Sequence, residues 1–152
     1  MKRPAINPYL QTQIRTASPD ELRLMLYDGC LKFARQAKAE LTREKPDFEA
    51  VYENFMRAQK IVLELSTGLN RDAAPELCDK LAGLYTYIYR LLVDANVDRD
   101  PAKIDEAIEL LDYERQTWQL YMEKAAPGIN PGSAPDPTGA QQTALSSLSK
   151  SA

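Results

Sequence analysis

The chain has 152 residues, 44% hydrophobic and 27% charged, with a formal net charge of −3. That length builds one domain rather than two, and an acidic balance is the wrong sign for gripping nucleic-acid phosphates. With no histidine and only six glycines, the chain offers no His phosphotransfer, Ser-His or Cys-His pair, ferritin-type Glu-x-x-His site or Gly-rich phosphate loop.

Residues 1–17 read as an extended N-terminal arm. Lys2, Arg3 and Arg15 make it basic, whereas the central segment carries −6. Pro4 and Pro8 oppose a helix running across them, yet Ile6, Tyr9, Leu10 and Ile14 are too apolar for a fully solvated tail. The arm is expected on apolar surface, either in a groove that it vacates for a partner or packed against the helix ends.

Four capped helices follow. Ser18 offers an N-cap hydroxyl, Pro19 takes the first helical position, and Glu21 stands where a capping box needs it. The first stripe is Leu22, Leu26, Cys30, Phe33, Ala37 and Leu41. Asp47 caps a second helix with Phe48, Val51, Phe55, Ala58, Val62, Leu65 and Leu69 inward, stopped by Gly68 and Asn70. Asp72 or Ala74 before Pro75 opens a third, whose stripe runs Leu77, Leu81, Leu84, Ile88, Leu91, Leu92 and Ala95. The run Asp98-Arg99-Asp100-Pro101 repeats the cap-then-proline device for a fourth, with Ile104, Ala107, Ile108, Leu111, Trp118 and Met122 inward. Short connections make neighbours antiparallel, so residues 18–125 are predicted to be an all-α, antiparallel up-down four-helix bundle.

Pro and Gly recur from Pro127 to Gly139 and a Ser-rich stretch follows, so residues 126–152 read as a disordered tail. Cys30 and Cys78, far apart and without a C-x-x-C, read as small buried hydrophobes rather than metal ligands. No apolar run reaches the roughly eighteen residues of a membrane span, and the start lacks the apolar core of a secretory signal. The expected location is the cytoplasm.

Every helix also carries apolar residues off its core stripe. The first adds Leu24, Tyr27 and Leu31; the second adds Tyr52, Met56 and Leu63 on one flank and Ile61 on the other. Tyr89 and Val93 do the same on the third helix, and Leu110 and Tyr121 on the fourth. Such flanks are either core, since a bundle helix touches two neighbours, or a groove open to a partner.

Particular runs point further. Tyr9 in the arm, Thr16-Ala17-Ser18-Pro19 at the helix start and Met25-Leu26-Tyr27-Asp28-Gly29 just after it resemble the opening signature of the flagellin export chaperones, the FliS family. Arg57-Ala58-Gln59-Lys60-Ile61-Val62 with Glu64-Leu65 and Leu69-Asn70 looks like the family's second-helix run. Leu81-x-x-Leu84-Tyr85-x-Tyr87, then Leu91-Leu92-x-x-Ala95-Asn96, resembles its third, and Leu110-Leu111 and Trp118 its fourth. The similarity spans about Asn7 to Met122.

The resemblance implies a cytoplasmic chaperone, not an enzyme, that needs no cofactor or metal. It would bind the disordered C-terminal segment of flagellin, block premature polymerisation and support delivery to the flagellar export apparatus. Family positions carried over to the client site are Ile6 and Tyr9 in the arm and Tyr85, Tyr87, Ala95 and Asn96 on the third helix. The arm's Ile14, the flank residues Leu24, Tyr27, Ile61 and Tyr89, and Leu65 of the second-helix run complete the expected client-binding set. The alternative is a small helical adaptor or regulator that uses the same grooves for another protein.

Overall fold

Helix starts occur where the sequence supplies caps. A computed structural model of the chain describes residues 7–125. It contains α1 (Pro8–Thr16), α2 (Pro19–Leu41), α3 (Phe48–Thr67), α4 (Pro75–Asp98) and α5 (Pro101–Ala125), with no strand among the described residues. At α2 the Ser18 hydroxyl accepts from the Glu21 backbone N–H at 3.2 Å. It also donates to Glu21 Oε1 at 3.1 Å, so the glutamate closes on the hydroxyl. Asp47 Oδ1 caps α3 through the Glu49 and Ala50 N–H groups, and Asp100 Oδ1 caps α5 through Ala102. Between the two candidates for α4, the N-cap is Ala74, without a side-chain bond. Replacing Ser18 by alanine should cost about 1 kcal/mol, lowering the melting midpoint by roughly 3 °C in a calorimetric scan.

Residues 8–16 of the arm are helical, not extended. Pro8 occupies the first helical position, where a missing N–H costs nothing, and Asn7 Oδ1 accepts from the Tyr9 and Leu10 amides. A proline bars a helix from crossing it but not from starting on it. Ile6 and the tail 126–152 lie outside the described residues.

The four long helices form a ring in the order α2, α3, α4, α5, each packed on its two neighbours. Polar contacts mark the antiparallel α2–α5 seam: Lys38 with Asp105, Arg35 with Asp112, Asp28 with Arg115, then the Asp20 carbonyl with Trp118. The core is continuous and includes Leu26, Phe55, Leu65, Ile88, Leu92, Ile104 and Leu111, each worth about 1.5–3 kcal/mol buried. Arg99 ends α4 in the left-handed region at φ 52°, and its guanidinium lies 3.7 Å from the Phe48 ring centroid.

Two expected core residues are exposed instead, Phe48 by 43% and Leu77 by 57%. Both lie in first helical turns, at the ends of the bundle. In contrast, the α2 flank is largely core: Tyr27 and Leu31 are buried and Leu24 is half-buried. α2 faces both α3 and α5, so its apolar arc must be wide.

Candidate functional site

Two features stand out above the core, an apolar strip on α3 and a polar cluster between α2, α4 and α5. The strip is the sequence-expected flank. Tyr52, Met56 and Leu63 are 53%, 42% and 48% exposed, and Phe48 continues their line by one helical turn. At 1.5 Å per residue the four cover about 22 Å of α3, within an arc of roughly 80° on the helix. At the α2–α3 seam, the half-buried Phe33 ring of α2 is covered by the cations of Lys32 and Arg57, each 5.5 Å from its centroid. Ile61, on the other flank, is buried against α2, where a Cβ on Gly29 would stand 3.3 Å from its Cδ1. The glycine of the Tyr-Asp-Gly run thus makes room for α3.

The cluster centres on Arg23, which is 1% exposed. Its Nη2 donates to the Tyr85 hydroxyl, and the Tyr27 and Tyr85 hydroxyls share a hydrogen bond at 2.5 Å. The guanidinium also lies 5.7 Å from the Tyr27 and Tyr85 ring centroids and 5.5 Å from that of Trp118. Trp118 Nε1 donates to the Asp20 carbonyl at 2.9 Å, which fixes the ring over the site. Burial opposes the Arg23 charge, but the facing Tyr85 and Tyr27 oxygens outweigh it, and its pKa ends above the ordinary value. Burial likewise pushes both tyrosine pKa values up, so the hydroxyls are neutral donors and acceptors at physiological pH. Arg23 Nη1, also buried, has no hydrogen-bond partner among the described residues.

The expected client positions divide sharply by exposure. Tyr9 is 70% exposed on α1, and Tyr87 is exposed on α4, where its hydroxyl donates to Glu106 Oε1 at 2.6 Å. That bond holds the Tyr87 proton and raises its pKa. Leu24, Tyr89 and Asn96 are half-buried. Ile14, Tyr27, Ile61, Leu65, Tyr85 and Ala95 belong to the core. Of the twelve, the structure brings Tyr27 and Tyr85 into direct contact and leaves Tyr9 and Tyr87 on the surface.

Arg23 and Trp118 complete that cluster, with Glu114 within the field of the guanidinium, and sequence reading did not assign the three to a common site. The available signal was spacing: Arg23 stands four residues before Tyr27, and Glu114 four before Trp118, so each pair shares a helix face.

Among the described residues no three His, Cys, Asp or Glu side chains gather where they could hold a metal ion. Burial raises the Cys30 thiol pKa strongly, and its Sγ–H points to the Ala58 carbonyl at 3.5 Å. Cys78 is buried as well. A thiol reagent such as Ellman's should therefore label neither cysteine in native protein within minutes, and both once urea unfolds it.

Fold and surface define a small helical bundle with an apolar strip along one helix and no helix, among the described residues, long and apolar enough to cross a membrane. The profile of the family described as "Flagellar protein FliS" matches residues 1–125, and the chain belongs to that family. It is 40% identical over 120 residues to the flagellar secretion chaperone FliS of Bacillus subtilis, covering 77% of this chain and 87% of the relative. The FliS chaperone of Campylobacter jejuni is 33% identical over 115 residues, covering 76% and 88%. That of Salmonella typhimurium is 30% identical over 118 residues, covering 77% and 86%. This is a family of chaperones, not of enzymes.

Proposed function

We propose that this chain is a cytoplasmic export chaperone that binds the C-terminal segment of flagellin, keeps it from polymerising and supports its delivery to the flagellar secretion apparatus. Kinship with named flagellar secretion chaperones supports the class. The observation that carries the binding reading is the strip of Phe48, Tyr52, Met56 and Leu63, apolar side chains left in water by a chain whose core is complete without them. A disordered client loses conformational entropy when it binds and must recover it over a long apolar surface, which such a strip offers. Tyr and Met suit the task because they combine contact area with adaptability.

Tyr9 and Tyr87 join the strip as positions a client can touch directly, and Leu24, Tyr89 and Asn96 are half-buried positions of the same expected set. Ile14, Tyr27, Ile61, Leu65, Tyr85 and Ala95 take part only if whatever covers them moves aside.

Isothermal titration with the C-terminal segment of flagellin from the same organism should give 1:1 binding and a negative heat-capacity change from apolar burial. No binding of that segment, under conditions where the protein is folded, would overturn the proposal and favour another protein partner.

A further inference from the structure

The roof over Arg23 is a stretch of helix that buries nothing fully. The buried residues of α5 are Ile104, Ala107 and Leu111, all in its first half. From Asp112 to Ala125 the side chains are half-buried or exposed, Leu120 by 56%. This half is held to the body by polar contacts: Trp118 to the Asp20 carbonyl, Arg115 to Asp28, and the Trp118 ring over the guanidinium. Beneath it lie a buried cation with an idle nitrogen and two tyrosines of the expected client set, Tyr85 from the family resemblance and Tyr27 from the apolar flank of α2. Glu114, one turn before Trp118, is half-buried and within the field of Arg23.

We propose that residues 112–125 of α5 form a latch over Arg23, Tyr27 and Tyr85, fastened by Glu114 closing onto Nη1 of Arg23. A guanidinium carries five N–H donors in a planar fork, and in a desolvated site the strongest acceptor for an idle one is a carboxylate. The groups that face Glu114 are Arg23 and Tyr27 from α2 and Tyr85 from α4, and with both phenols neutral the guanidinium supplies the charge. With the contact unmade, burial outweighs Arg23 and lifts the Glu114 carboxyl above its ordinary 4.5. Making the contact reverses that sign. The fastened latch then persists above the lowered pKa and loosens as pH falls through it. This rests on the client reading and deepens it by regulating the covered members of the client set, since Tyr27 and Tyr85 become reachable only when the latch lifts.

The test uses the protein alone, so it stands apart from whether flagellin is the client. Trp118 is the only tryptophan in the chain, and its fluorescence reports the latch directly. Glu114→Gln should increase acrylamide quenching of Trp118 by roughly two-fold or more through local opening, while Glu109→Gln leaves it unchanged. Carbon-13 NMR of the glutamate side chains should place the Glu114 pKa below 4.5 in the full chain, and higher in Arg23→Gln. If Arg23→Gln does not fold, the value in the unmodified chain decides alone. A Glu114 pKa above 4.5, or unchanged quenching in a helical Glu114→Gln protein, would overturn the latch.

Discussion

Replacing Tyr85 by alanine should remove about 5 kcal/mol of stability, a loss of the size that unfolds many domains outright. Tyr85 is fully buried, so truncation leaves a ring-sized cavity between helices that cannot collapse completely. It also strips Arg23 Nη2 and the Tyr27 hydroxyl of their shared partner, and stranded buried polar groups cost about 1–3 kcal/mol. Tyr85→Phe separates these effects, because it keeps the ring and deletes only the hydroxyl. It should cost roughly 2 kcal/mol, seen as a lower urea midpoint at unchanged slope. In the double variant with Tyr27→Phe the losses should not add, since both substitutions act on one network. Tyr85→Phe within about 0.5 kcal/mol of the parent would mean that the hydroxyl bridge contributes little to the fold.

Substituting Tyr52, Met56 and Leu63 together by alanine should leave folding nearly intact and remove client binding. All three are 42% exposed or more, and surface changes typically stay within about 0.5 kcal/mol each. At an interface the same side chains act as anchors, and losing three should weaken affinity by about 4 kcal/mol, close to a thousandfold. Tyr113→Ala, on α5 and 67% exposed, serves as the control for generic loss of surface aromatics. Titration of the flagellin segment against both variants checks this, with thermal melts run alongside. Parental affinity in the triple variant would take the strip out of the site and leave the family relation standing.

A contrast between two aromatic flanks explains what was legible beforehand. Capping residues, proline positions and 3.6-residue stripes act within a few residues of themselves, so Ser18, Asp47, Pro75 and Asp100 mark helix starts that the structure reproduces. The family runs are likewise local strings, readable without coordinates. Which apolar flank is covered depends instead on the neighbours a helix acquires. Tyr27 and Tyr52 look alike as off-stripe residues, yet Tyr27 faces α4 and α5 and is buried, whereas Tyr52 is 53% exposed. Burial is a property of the ring order α2, α3, α4, α5, and periodicity along one helix carries no trace of it.

The Arg23 site belongs to that second kind. Its members stand 62 residues apart in one hydrogen bond and 98 in another, and each reads locally as an ordinary surface charge, off-stripe tyrosine or stripe tryptophan. Sequence by itself determined the four long helices, their antiparallel order and the family, but not the short α1. Tertiary packing alone decided that a cation is sealed among three aromatic rings while an apolar strip on α3 is left open, because desolvation depends on what surrounds a side chain in space.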